Sequence, residues 1–244
     1  MMWRKDKTTN EIEFIALDKY AFEVCPKPFP ASQALPKWWK DASPYIKNKD
    51  NLDGKKIILE NGYTSPSFKK CTPMLDLLTS GYIVPLWSDV QIQIKDGMPE
   101  IHWRVSRHVF NLHSTQEVEI PNGYQKTQFK FLNQWIPKLP KGYSALIIAC
   151  PGYPNTPFRA MQAIIDYDKS TTTLYPPMFL KEGFEGIVEK GTPMFQIIPF
   201  KRNNWESKFS FLEDGAQERN TDRDVRATMV NNYVKNFWEK KQYK

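Results

Sequence analysis

Nineteen prolines cut this chain into short runs, and they restrict its fold more than any other feature. Pro26, Pro28, Pro30, Pro36 and Pro44 all fall between Cys25 and Tyr45. A proline inside a helix removes a backbone donor and clashes with the preceding turn, and it pushes the residue before it towards extended backbone. Only short helical turns fit between these five, so residues 26–45 are expected to form an extended arm. Trp38 and Trp39 would pin that arm to the body or to a neighbouring subunit. Glycine is scarce by contrast, with 11 residues, which leaves few positions for glycine-dependent phosphate cradles.

Where proline relents, the apolar residues recur with the period of a strand. "DVQIQIKDGMPEIHWRVS" puts Val90, Ile92 and Ile94 on one face, turns at Asp96-Gly97, and returns with Ile101, Trp103 and Val105. This is the pattern of a two-residue hairpin. "EIEFIAL" (11–17) gives a first strand. Further short strands are expected over 127–132, 143–150, 160–165, 171–174, 178–180, 184–188, 194–200 and 208–212. "CTPMLDLLTSG" (71–81) predicts a two-turn helix with Thr72 as cap, Pro73 at its first position and Gly81 as its stop. In the tail, Val225, Met229, Tyr233 and Phe237 recur every four residues beside Val230, Val234 and Trp238, the pattern of an amphipathic helix. Many short, turn-punctuated strands predict a mainly β fold: a β-sandwich or distorted jelly-roll-like barrel with short helices. The expected organisation is a strand and Pro/Trp-rich arm over 1–50, a sandwich or barrel body over 51–215, and a C-terminal helix over 216–244.

Charge and composition exclude several functional classes. The net charge is +7, but lysine and arginine are scattered and serve chiefly solubility. The balance also suits nucleic acid or an acidic protein surface, with Lys201 and Arg202 as a small basic patch. Long basic stripes interleaved with aromatics are absent. Cys25, Cys71 and Cys150 form no CxxC pair, which disfavours a zinc or disulfide framework. His102, His108 and His113 lack the one-residue spacing of a jelly-roll metal site, so no metal and no cofactor is expected. No apolar run approaches the roughly 20 residues that cross a bilayer, and no apolar leader precedes the first strand. A soluble protein of a reducing cytosol is expected. There is no GxSxG elbow, no Walker loop and no GxGxxG.

The acids of "AIIDYD", Asp166 and Asp168, close an apolar run, where many enzymes keep a general base. The order "KGYSALIIACPGYP", "AIIDYD", "EKGTPMFQIIPF" resembles the trimeric dUTPase and dCTP deaminase barrels. That resemblance implies a nucleotide enzyme with Asp166 as the base that activates water, and Gly191 and Gln196 on the late strand. The chain departs from the pattern: the motif glycine is Ala163, the tyrosine falls early at Tyr167, and the phosphate loop has no counterpart in "PGYPNTPFRAM". A broader resemblance, over about residues 26–205, is to an uncharacterised domain of bacteriophages and bacteria. It rests on "CTPMLDLLTSGYIVPLW", "FKFLNQWIPKLPKGYSALIIACPGYP", "AIIDYD" and "GIVEKGTPMFQIIPFKR" in order, and implies a fold without implying an activity.

Asp166 is therefore expected to be structural, accepting hydrogen bonds at a strand end, with Asp168 facing solvent. The functional expectation is a non-catalytic virion or assembly protein, found in the particle or in the cytoplasm before assembly, with neighbouring protein subunits as partners. Trp38, Trp39, Tyr233, Phe237 and Trp238 are the interface candidates, because aromatics carry much of interface energy. The rivals are the Asp166 nucleotide enzyme and a cytosolic protein-binding module.

Overall fold

The period-two runs fold into antiparallel strands. The computed structural model describes residues 10–48, 51–55, 57, 66–113, 118–211 and 232–244. Among them the strands are β1 (Glu13–Ala16), β2 (Phe29–Pro30), β3 (Tyr82–Pro85), β4 (Val90–Lys95), β5 (Met98–Trp103), β6 (Phe110–His113) and β7 (Tyr124–Phe131). They continue with β8 (Trp135–Lys138), β9 (Tyr143–Ile148), β10 (Phe158–Ala160), β11 (Ala163–Ile165), β12 (Pro177–Lys181), β13 (Gly186–Val188) and β14 (Pro193–Lys201). The helices are α1 (Lys19–Val24), α2 (Lys37–Asp41), α3 (Thr72–Thr79) and α4 (Asn232–Asn236). The fold is mainly β, a sandwich of antiparallel sheets that form no closed barrel among the described residues. None of the described helices is long and apolar enough to cross a membrane.

The chain divides into two compact units, one of residues up to Ala31 with Gly81–Arg202, the other of Ser32–Ser80 with the residues from Asn203 onward. The first unit holds every strand named above. Its larger sheets run β11-β9-β14-β3-β2 and β10-β12-β7-β6; β13-β4-β5 and the pair β1-β8 complete it. The β4–β5 hairpin forms in the expected register, Val90 opposite Trp103 and Ile92 opposite Ile101. Its turn has Asp96 at φ 50° and Gly97 at φ 77°, both left-handed, as this two-residue turn requires.

Inward residues of all three larger sheets share one core, including Val84, Ile92, Phe110, Phe129, Phe131, Ile147, Phe158, Met178, Leu180, Phe195 and Ile197. Gly81 sits at φ +69°, and a Cβ there would lie 2.0 Å from the Ile197 carbonyl oxygen. Only glycine allows β14 this close to the start of β3.

Several local expectations are corrected. The run 160–165 is two strands, not one: β10 pairs β12 while β11 pairs β9, so the chain changes sheets at Met161-Gln162. Residues 171–174 and 208–211 form no strand, and Leu212 lies outside the described residues. The α3 cap is Cys71, one residue before the expected Thr72. Helix α1, not anticipated, starts where the Asp18 carboxylate accepts from the Ala21 amide at 2.8 Å. Of the expected C-terminal helix, Asn232–Asn236 is helical, and residues 216–231 lie outside the described residues.

In the second unit, the proline arm is not extended throughout. A 3-10 turn over Ala31–Ala34 precedes α2, because Pro36 supplies the extended residue from which that short helix starts. Trp39 on α2 is buried. Its ring lies 5.8 Å from those of both Trp38 and Phe68, and the Lys69 ammonium lies 5.2 Å above it while donating to its carbonyl oxygen.

Candidate functional site

Three strand ends meet where the sequence placed its two acids. Register sets Tyr143 at the start of β9 opposite Lys201 at the end of β14, and Ala145 opposite Ile165 at the end of β11. Arg202, one residue beyond β14, is anchored when its amide donates to the Gly142 carbonyl at 2.9 Å. Its guanidinium then grips Asp168 as a fork, Nη1 to Oδ1 at 2.8 Å and Nη2 to Oδ2. The same Nη1 donates to the Tyr143 carbonyl and the Ser144 hydroxyl, each at 3.0 Å, and pairs with Asp166 Oδ1 at 3.1 Å. The Ser144 hydroxyl in turn donates to Asp166 Oδ1 at 2.6 Å, so it donates and accepts at once. The Gly142 amide completes the set on Asp168 Oδ2 at 2.8 Å.

Asp166 accepts hydrogen bonds at the strand end, whereas Asp168, expected to face solvent, does not. Asp168 is the interior carboxylate, its side chain 2% exposed, while that of Asp166 is 50% exposed. The reason is the Arg202 fork, whose planar donors match a carboxylate in bidentate fashion and draw Asp168 in. The acid nearer the strand end is left with the outer position.

Electrostatics point the same way. The Arg202 fork, and after it the Gly142 amide, hold the Asp168 carboxyl far below the usual carboxylate range. The Ser144 hydroxyl, and after it the Arg202 charge, hold Asp166 below that range too. A general base works best with a pKa near the working pH, usually reached by an upward shift for a carboxylate. Both shifts here run downward, so both groups are firmly ionised and weak as bases. Between them Tyr167 is buried and its hydroxyl has no partner among the described residues. Burial pushes that phenol up, and the buried ring is not presented as a platform for a sugar.

Comparison with protein-family models found no matching family, and comparison with curated proteins found no match.

The other groups singled out in the sequence are scattered. His102 pairs with Glu100 at 3.3 Å across the exposed face of β5, and His108 packs edge-on against Trp103 at 5.5 Å. No three His, Cys, Asp or Glu side chains among the described residues converge to hold a metal ion. Cys25 and Cys150 are buried and Cys71 is exposed; burial pushes the Cys150 thiol far up, away from reactivity. Of the basic pair, Lys201 is exposed, whereas Arg202 is committed to the acids. Among the interface candidates, Trp38, Tyr233 and Phe237 are exposed and Trp39 is buried. Trp238 is tied within its unit, its indole N–H 3.0 Å from both Asp76 carboxylate oxygens, where Lys241 also pairs at 2.7 Å.

One feature escaped sequence reasoning, and another was expected in part as a strand. The first is an open cleft of about 660 Å³ lined by Asp18, Arg107, Gln134 and Tyr175 beside Leu17 and Leu132, among others. Its charges answer each other: Arg107 forks onto Asp18, with Nη2 to Oδ2 at 2.6 Å, and donates to Gln134 at 2.8 Å. That fork also fixes the cap of α1.

The other feature is the segment Trp205–Phe211. The period-two aromatics of "WESKFSF" are a strand signal, but the segment has no secondary structure. Trp205, Phe209 and Phe211 are 88%, 91% and 92% exposed, and no hydrogen bond joins the segment to any described residue.

Replacing Asp166 by Asn tests the catalytic alternative directly. The variant is expected to melt close to wild type, because the carboxylate is half in water, and neither protein should release pyrophosphate from dUTP or dCTP. Hydrolysis by wild type that disappears in the variant, at an unchanged melting temperature, would identify Asp166 as a base.

Proposed function

We propose that the protein is a non-catalytic assembly subunit that binds neighbouring subunits and, in the setting its sequence resemblance implies, a component of a bacteriophage particle. The observation that carries this is the Trp205–Phe211 segment: its three aromatic rings are the most exposed large apolar side chains among the described residues. Tryptophan and phenylalanine are enriched at the buried centres of interfaces. Rings left in water cost free energy that association would recover. The acid corner supports the same view from the other side, because its carboxylates are spent on Arg202, Ser144 and Gly142 and serve to lock three strand ends.

The test is quantitative mass spectrometry of particles purified from the source organism. The protein is expected in a fixed ratio to the major shell protein, retained through washing in high salt. Recovery of the chain only in the soluble fraction, with purified particles free of it, would overturn the proposal.

A further inference from the structure

We propose that the Trp205–Phe211 segment of one copy docks as an added strand in the seam between β5 and β6 of a second copy. This rests on the assembly reading above and names the partner and the surface.

The seam is where two sheets of the first unit end side by side. β5 is the outer strand of β13-β4-β5, and β6 is the outer strand of β10-β12-β7-β6. An outer strand directs alternate N–H and C=O groups away from its sheet, which makes it a template for another strand. Between the two lies a hollow of about 830 Å³ whose apolar lining includes Met98, Ile101, Trp103, Phe110, Leu112 and Phe129. Met98 and Leu112, at 63% and 73% exposed, are open apolar ground on its two sides. The rim carries both signs of charge, with Lys95 and Asp96 at one end and Glu100 and His102 along it.

The segment has the matching chemistry. Laid out as a strand, it sends Trp205, Ser207, Phe209 and Phe211 to one face and Glu206, Lys208 and Ser210 to the other. Its two charges are of opposite sign, like those of the rim. All three rings are about 90% exposed, so the segment carries apolar area that a second copy can bury.

The areas agree as well. Three aromatic side chains bury roughly 450–750 Å², and a standard stable interface needs about 800 Å² from each partner. A reciprocal exchange, each copy giving its segment and receiving the other's, makes two such contacts about a two-fold axis and passes that threshold.

The experiment uses the full chain and two variants, each altered only at exposed positions. One carries Trp205→Ser, Phe209→Ser and Phe211→Ser together and keeps the seam. The other carries Leu112→Arg and keeps the segment. Native mass spectrometry and sedimentation velocity are expected to show wild type as a dimer or larger, and each variant alone as a monomer with an unchanged circular dichroism spectrum. An equimolar mixture of the two variants should recover a heterodimer, since one copy supplies an intact segment and the other an intact seam. In hydrogen exchange, β5 and β6 amides should be slower in wild type than in either variant. Variants that associate as wild type does, or a mixture that stays monomeric, would sink the strand exchange. So would a wild-type chain that is monomeric alone yet present in particles; in that case the assembly role survives and its partner is a different protein.

Discussion

Phe131→Ala is expected to lower the free energy of unfolding by about 3–5 kcal/mol, the range for truncating a buried aromatic ring. Phe131 lies on β7 with its side chain fully buried. Its ring is 5.5 Å from Phe110 on neighbouring β6 and 6.3 Å from Phe195 on β14, in the opposite sheet. Phe110 in turn stacks on Phe158 of β10 at 4.8 Å. These rings join the two main sheets, so a methyl group in place of Phe131 opens a void that its stiff neighbours cannot collapse to fill. Lost contacts and cavity add together at such a site. Urea unfolding followed by tryptophan fluorescence checks it: the midpoint should fall with the slope unchanged. Leu52→Ala is the control, expected within about 0.5 kcal/mol of wild type because its side chain is largely exposed. A Phe131→Ala cost below that of the control would mean that these rings do not hold the sheets together.

How much of this could be read in advance depended on whether the signal was local. The β4–β5 hairpin was legible because alternation and turn chemistry lie within fourteen consecutive residues, Val90–Trp103. The sandwich class was legible because frequent proline leaves room for little but short strands. Sheet membership was not. A run such as 160–165 alternates alike whether it stays in one sheet or changes sheets at Met161-Gln162, because side-chain period carries no information about the partner strand. Helix α1 is too short to display a helical period, and only Asp18 before it gave a sign. The acid corner was half legible: the acids stood out, but Arg202 is 34 residues beyond Asp168 and was read as surface charge. The segment 205–211 failed in the opposite sense. Its pattern is that of a strand, yet alternation makes a strand only where an edge exists to pair with it.

Asp168→Asn is expected to lower the melting temperature more than any other substitution in the acid corner, and by an amount that depends on pH. At neutral pH the variant loses the charge that answers Arg202, and its amide group can turn N–H donors towards a guanidinium that needs acceptors. Asp166→Asn is milder, because that side chain is half in water and shares Arg202 with its neighbour. The sign of the pH effect follows from the direction of the shift. The Asp168 pKa is depressed in the folded state, below its ordinary 3.8. Its contribution is therefore complete above that ordinary value and is lost as pH falls through the much lower folded value. Arg202 keeps its charge throughout this range. The gap in melting temperature between wild type and Asp168→Asn should thus be constant from about pH 7 to pH 5 and narrow below about pH 4. It should narrow because wild type approaches the variant, not because the variant gains. Calorimetric melts of wild type, Asp168→Asn and Asp166→Asn across that range decide the matter. A gap as wide at pH 3 as at pH 7, or a larger loss from Asp166→Asn than from Asp168→Asn, would show that the Arg202 fork is not what locks the three strand ends.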